Sequence, residues 1–375
     1  MEPDASAARS SRLILGLDTF GDVTERADGS TSSHAEVIRD VIEQGVAAER
    51  AGVDALTIGE HHRADFAVTS PELILAAIAA RTERILLGTG VTVLSSDDPV
   101  RVYERFATLD AISNGRSEVV LGRGSFTESF PLFGYKLSDY DTLFSEKLAL
   151  FAKLRSEGPV TWSGQHRSAL VEQEVFPKTE RPGGVGAWIG VGGSPESVQR
   201  SVRVGIPMML AIIGGDPARF MPFVRLYRQL QDDLGVGPMP LAAHSPGHVA
   251  ETDALAREQL WPHFRDNRNR IGAERGWPET TRAEFEREAD EGSLYVGSPE
   301  TVAQRIAQTV RTLGLDRFDL KYASGPMPHE QLMQSIKLYG HVVAPRVREL
   351  LAEQAQASAP AGEKGRGRVT GKVTR

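Results

Sequence analysis

Two hydrophobic periods alternate along this chain. Short apolar, β-branched runs at 13–17, 55–59, 85–94, 117–122, 187–191, 207–213, 241–249 and 318–322 read as strands buried on both faces. Between them the apolar positions recur at helical spacing, as in Val37, Val41 and Val46, or Val102, Phe106 and Leu109. Several of these helices have marked ends. Asp98-Pro99, Ser194-Pro195, Asp216-Pro217 and Ser298-Pro299 place an oxygen-bearing cap before a proline at the first helical position. Ala51-Gly52 and Asn114-Gly115 supply left-handed stops. Eight strands in this rhythm predict an α/β fold, a (β/α)8 TIM barrel with insertions; an open doubly wound sheet is the alternative.

The barrel domain is expected over 13–351. Within it, 159–176 alternates around a turn and reads as an inserted hairpin, and the charged stretch 265–292 reads as a lid-like insertion after a helix ending near Phe264. Residues 1–12 are small and polar, a flexible leader, and 352–375 is Ala/Gly/Lys/Arg-rich, a disordered basic tail.

Composition narrows the function classes. The 375 residues are 40% hydrophobic and 25% charged, as in soluble globular proteins. A net charge of −7 gives no global electrostatic case for nucleic acid or an anionic membrane. No run approaches the ~20 apolar residues of a spanning helix, and the first residues lack the apolar core of a signal peptide. With no cysteine, disulfides, thiolate metal sites and cysteine nucleophiles are excluded. A cytoplasmic protein is expected.

The densest block of candidate chemistry is 85–134. Its second strand delivers Arg123, between Gly122 and Gly124, to a strand-exit loop, where barrels bind ligands. A guanidinium there suits a phosphate or carboxylate; the plain alternative is a surface arginine paired with an acid. In a barrel the next strand would set Gly192–Ser197 beside it, where helix-start amides and the hydroxyls of Ser194 and Ser197 form an anion site. Ordinary capping is the competing account, because Gly-Ser-Pro-Glu recurs at 297–300. Strand two ends in Glu60-His61-His62. Adjacent residues of an extended chain point to opposite faces, which argues against one metal ion shared by both histidines. One histidine facing the mouth as an acid/base group, or a structural pair, are the two readings. Strand 241–249 carries His244 and His248. There is no G-x-S-x-G elbow and no phosphate-binding G-x-x-x-x-G-K-[ST]. Gly190-Val191-Gly192-Gly193 begins a dinucleotide fingerprint that fails at Pro195.

Together, Glu60-His61-His62, LLGTGVTVLSSDDPVRVYERFATLDAISNGR, GRGSFTESFPLFG and WIGVGGSPES resemble the bacterial-luciferase-like, flavin-dependent monooxygenases from about Leu13 to Leu350. The resemblance implies a dimeric (β/α)8 barrel binding FMN or, in a sister branch, F420. It places the flavin phosphate on Arg123, Gly193, Ser194 and Ser197, a glycine standing at 193 where luciferase has an acid. It also places a non-proline cis peptide at Gly90-Val91 beneath the isoalloxazine, and an active-site histidine at His61. Gly122 stands where luciferase has a reactive cysteine, which sets light emission and long-chain aldehyde chemistry apart from what is implied here. The expectation is an FMN-dependent monooxygenase acting through a C4a-hydroperoxide on a small organic substrate with O2, fed by a separate flavin reductase. An F420-dependent dehydrogenase and a non-catalytic flavin-binding protein are the alternatives.

Overall fold

In the computed structural model, which describes residues 13–26 and 28–358, each strand run is followed by a helix that packs back on it. The strands are β1 (Ile14–Thr19), β2 (Ala55–Ile58), β3 (Leu86–Val93), β4 (Ser117–Gly122), β5 (Val160–Trp162), β6 (Leu170–Gln173), β7 (Gly186–Val191), β8 (Met208–Ala211), β9 (Leu241–Val249), β10 (Tyr295–Gly297) and β11 (Arg317–Lys321). Eight of them close in the order β1-β2-β3-β4-β7-β8-β9-β11, every neighbouring pair parallel, with β11 returning to β1. This is the (β/α)8 barrel; the open sheet is excluded by the β11–β1 and β8–β9 pairings. β10 extends one edge of β9, and β5–β6 is an antiparallel hairpin within 159–176.

The helices are α1 (His34–Ala51), α2 (Pro71–Ala79), α3 (Pro99–Ser113), α4 (Ser129–Leu132), α5 (Tyr140–Leu154), α6 (Pro195–Val204), α7 (Met221–Asp233), α8 (Asp253–Arg275), α9 (Arg282–Asp290), α10 (Pro299–Leu313), α11 (His329–Leu338) and α12 (Ala344–Ser358). Their apolar faces and the outward side chains of the strands make one continuous core. Inside the barrel the layers differ. At the amino ends Arg317 bonds Asp319 (2.8 and 2.9 Å) and Glu118, and the Trp188 indole donates to Glu118 (3.2 Å). Above them Val120, Trp188, Met209 and Ala242 form an apolar plug. The barrel is therefore filled from below and open only at the carboxyl ends.

Two boundaries differ from the sequence expectation. α8 does not stop near Phe264 but runs through Pro262 to Arg275. A proline inside a helix removes one hydrogen bond, yet here Trp261 and Phe264 both pack on Phe285 of α9, which holds the turns on either side. The 265–292 stretch is thus mostly two packed helices. Its first part is tied down by Arg63–Glu274 (2.6 and 2.9 Å), Arg270–Asp65 (2.9 Å) and Arg275 to the Ser125 carbonyl (3.1 Å). The tail expected from 352 is also helical as far as Ser358, the last described residue. The expected leader 1–12 and the rest of the tail, 359–375, lie outside the described residues.

Candidate functional site

The carboxyl ends of the strands surround a small hollow of about 30 Å³ bounded by Asp18, Thr57, Gly90, Val91, Met209 and His244, among others. The Gly90–Val91 peptide bond is cis, and the register of β3 on β4 slips between Gly90 and Thr92. Val91 points towards β4. A Cβ at position 122 would lie 2.5 Å from Val91 Cγ2, so glycine at this position is demanded by packing.

The β4–β7 pairing brings the loop of Arg123 beside the start of α6. Arg123 Nη1 donates to Asp141 Oδ1 (2.7 Å), and its guanidinium lies 5.2 Å from the Tyr140 ring, whose hydroxyl is fixed on the Gly124 carbonyl (2.7 Å). Ser194 is the N-cap of α6. Its Oγ accepts from the Ser197 amide (3.3 Å) and donates to the Ser197 hydroxyl (2.9 Å). Gly193 has φ +99°, a left-handed value that excludes most side chains.

A second arginine belongs to this corner and had no place in the sequence reading. Arg200 lies one turn beyond Ser197 on α6, 5.4 Å from the Phe144 ring. Its Nη1 is buried with no hydrogen-bond partner. Burial, and then the charge of Arg123, pull its pKa below the usual arginine value. Asp141 and Phe144 sit three residues apart on α5, so one face of that helix holds both guanidiniums. The signal available in the sequence was the three-residue spacing from Ser197 to Arg200.

The repeated Gly-Ser-Pro-Glu motif has a different neighbour. At the start of α10 the Ser298 amide donates to Asp253 Oδ1 (2.6 Å), and the Thr301 hydroxyl donates to Asp253 Oδ2 (3.0 Å). That helix start already holds a carboxylate of the chain. Among the described residues, no carboxylate is hydrogen-bonded to Ser194 or Ser197.

Glu60, His61 and His62 separate as extended residues should. His62 Nε2 meets Glu60 Oε1 (2.9 Å), and Glu60 Oε2 accepts from the Val93 amide (2.8 Å), so this pair braces the loop after β3. His61 turns the other way, into an aromatic cage of Phe20, Phe66 and Phe126 with ring centroids 4.4, 4.5 and 5.1 Å away. Its Nδ1 is buried and unpartnered. Burial, helped by the charges of Lys321 and Arg63, pushes its pKa down to about 3. The His61 ring is neutral near pH 7. His248, also buried, bonds Gln259 (2.8 Å) away from the hollow.

On the floor of the hollow, His244 Nδ1 lies 3.2 Å from Asp18 Oδ2, and Asp18 Oδ1 accepts from the Thr57 hydroxyl (3.0 Å). Among the described residues no group of three or more His, Asp or Glu side chains is placed to hold a metal ion, and no helix is long and apolar enough to cross a membrane.

Comparison with known proteins accords with this geometry. The y4vJ protein of Sinorhizobium fredii is 35% identical over 139 residues, 37% of this chain and 40% of that protein. The alkanal monooxygenase alpha chain of the Kryptophanaron alfredi symbiont is 27% identical over 179 residues, 48% of this chain and 50% of its own length. The chain thus spans about half the length of these curated relatives. Among solved structures, monooxygenase RslO1 of Streptomyces bottropensis superposes with a TM-score of 0.75 at 24% identity, covering 89% of this chain and 99% of that one. The oxygenating constituent of 3,6-diketocamphane monooxygenase of Pseudomonas putida, in complex with FMN, gives 0.71 at 18%, covering 89% and 98%. The F420-dependent tetrahydromethanopterin reductase of Methanopyrus kandleri gives 0.67 at 18%, covering 89% and 99%. These structures share the fold. A family model described as luciferase-like monooxygenase matches residues 20–317, most of the sequence, and the chain belongs to that family.

Proposed function

We propose that this chain is an FMN-dependent monooxygenase. The observation that carries the reading is the helix start at Ser194, which bonds no carboxylate among the described residues and has Arg123 on the neighbouring loop and Arg200, with a buried unpartnered N–H, on the same helix. Two guanidiniums and a helix amino end suit a doubly charged phosphate monoester, as FMN carries. The phosphate of F420 is a diester with one charge, which favours FMN of the two. In this reading Arg123, Gly193, Ser194, Ser197 and Arg200 hold the phosphate, and the Gly90–Val91 peptide supports the ring system.

Bound reduced FMN would supply the electrons that activate O2. The chain's own part is to position and to dry the site. Phe20, Phe66 and Phe126 give the mouth an apolar wall around His61, the proposed acid/base group. A small organic substrate, electrons from a separate flavin reductase, a homodimer and a cytoplasmic location complete the proposal. They rest on the resemblance and, for the reductase, on the absence of a nicotinamide fingerprint. A flavin-binding protein without turnover would keep the phosphate corner and lack product.

The test is binding. A charge-assisted hydrogen bond contributes about 1.5–3 kcal/mol, so Arg123→Ala should weaken FMN about ten- to a hundredfold in a fluorescence titration. Riboflavin, without phosphate, should bind both proteins alike. Equal losses for the two flavins would overturn the phosphate assignment, and tight F420 binding with none of FMN would move the protein to the other branch.

A further inference from the structure

His61, the acid/base group expected in this site, is caged by three phenylalanines, and burial lowers its pKa to about 3. The floor of the hollow holds a different arrangement. His244 projects inward from β9 at the level of Ala211 on β8, and Asp18 from β1 at the level of Thr57 on β2. Asp18 is 1% exposed. Among the described residues its carboxylate has two side-chain partners, the Thr57 hydroxyl and His244 Nδ1, and neither is a fixed cation. A buried carboxylate without a cation is costly unless a partner can share or take positive charge. His244 is the partner able to do so.

The other charged groups facing this pair are already engaged. Lys321, level with Asp18 on β11, bonds Asp22 (3.3 Å) and the Ala323 carbonyl. Asp319, level with His244 on β11, is held by Arg317, which also takes Glu118. Neither β2 nor β8 adds a charged residue at this level, where they carry Thr57 and Ala211. An ionised carboxylate can only accept, so a bond between His244 and ionised Asp18 requires the proton on Nδ1. Nε2, the other ring nitrogen, has no hydrogen bond among the described residues, and His244 lines the hollow.

We propose that Asp18 and His244 form a proton-accepting dyad at the floor of the mouth, with His244 Nε2 taking a proton from the ligand in the hollow and Asp18 as the positioning residue. The proton leaves the ligand, Nε2 gains it, and the imidazolium is balanced by the Asp18 carboxylate; no electron moves. For the identity of the ligand the inference rests on the flavin reading. The dyad itself is tested without flavin.

In ligand-free protein, ¹⁵N NMR of labelled histidines, with His244 assigned by its loss in His244→Gln, should show the Nδ1–H form. Asp18→Asn, which presents an amide, should shift His244 towards the Nε2–H form while the protein still melts cooperatively. A wild-type ring protonated on Nε2, or one indifferent to Asp18→Asn, overturns the dyad. With FMN bound and reduced, the pH profile of reoxidation by O2 should lose a limb in His244→Gln, with a rate fall of about 10²-fold where that limb acts. FMN affinity is measured for each variant, and rates are compared at saturating FMN, because Gly90 and Val91 line the same hollow as His244. His61→Gln should keep the limb. A His244→Gln profile matching wild type at normal FMN affinity overturns the catalytic role. Failure of the wild type to bind FMN counts against the flavin reading and leaves the NMR result to decide the dyad.

Discussion

Two helices of this barrel begin with the same four residues, and only one start is left open. At the start of α10, Asp253 bonds the Ser298 amide and the Thr301 hydroxyl, so a carboxylate of the chain itself sits on the helix amino end. At the start of α6 no such carboxylate is present among the described residues. Instead Arg123, itself paired with Asp141, and Arg200 lie beside a helix end that is already positive, and one Arg200 N–H is buried without a partner. The first arrangement is complete in the folded chain and serves stability. In the proposed reading the second start takes the phosphate. The motif is a cap in both places; in that reading its neighbours make it a site in one.

The strongest way to break this comparison is to remove both cations. Arg123→Ala combined with Arg200→Ala should weaken FMN by about 10²–10⁴-fold, each residue contributing about 1.5–3 kcal/mol, with riboflavin unaffected in the same fluorescence titration. If Arg200→Ala adds nothing to Arg123→Ala, the second guanidinium does not face the phosphate.

The filled copy can be emptied in turn. Asp253→Asn should lower stability by about 1–2 kcal/mol at neutral pH, read as a fall in urea midpoint, without changing FMN affinity. Burial opposes the charge of Asp253, but hydrogen bonds from Ser298 and Thr301 outweigh it and hold the carboxyl below its ordinary 3.8. Its folded value is depressed, so the stabilisation is present above that ordinary value and fades as pH falls through the folded one. Wild type and variant should converge in acid; a constant gap down to low pH would show that the charge is not what matters.

The finest test is a matched pair. Ser194→Ala and Ser298→Ala each remove an N-cap oxygen and should each cost about 1 kcal/mol of stability. Only Ser194→Ala should also weaken FMN, by about fivefold, because one neutral hydrogen bond contributes about 1 kcal/mol. If Ser298→Ala weakens FMN equally, the two starts are not distinct.

The strand order, the hairpin and the proline-started helices were legible because each depends on spacing within about 20 residues: apolar runs, an oxygen-bearing cap, a glycine stop. The end of α8 was not legible. Locally Pro262 and a charged run argue for a stop, and only the packing of Trp261 and Phe264 on Phe285 carries the helix to Arg275. The same holds for α12, whose last residues to Ser358 look compositionally like a tail.

The sequence by itself therefore determined the barrel, the loop that carries Arg123 and the helix start that faces it, because a parallel barrel makes β4 and β7 neighbours once the hairpin is set aside. It did not distinguish the two Gly-Ser-Pro-Glu starts, since their difference lies in Asp253, 45 positions before Ser298, and in two side chains of α5, Asp141 and Phe144, that hold Arg123 and Arg200. Nor did it pair Asp18 with His244, which are 226 positions apart. Side-chain partners of that kind are chosen by barrel closure and strand register, and those follow from the sum of all the packing rather than from any local run of residues.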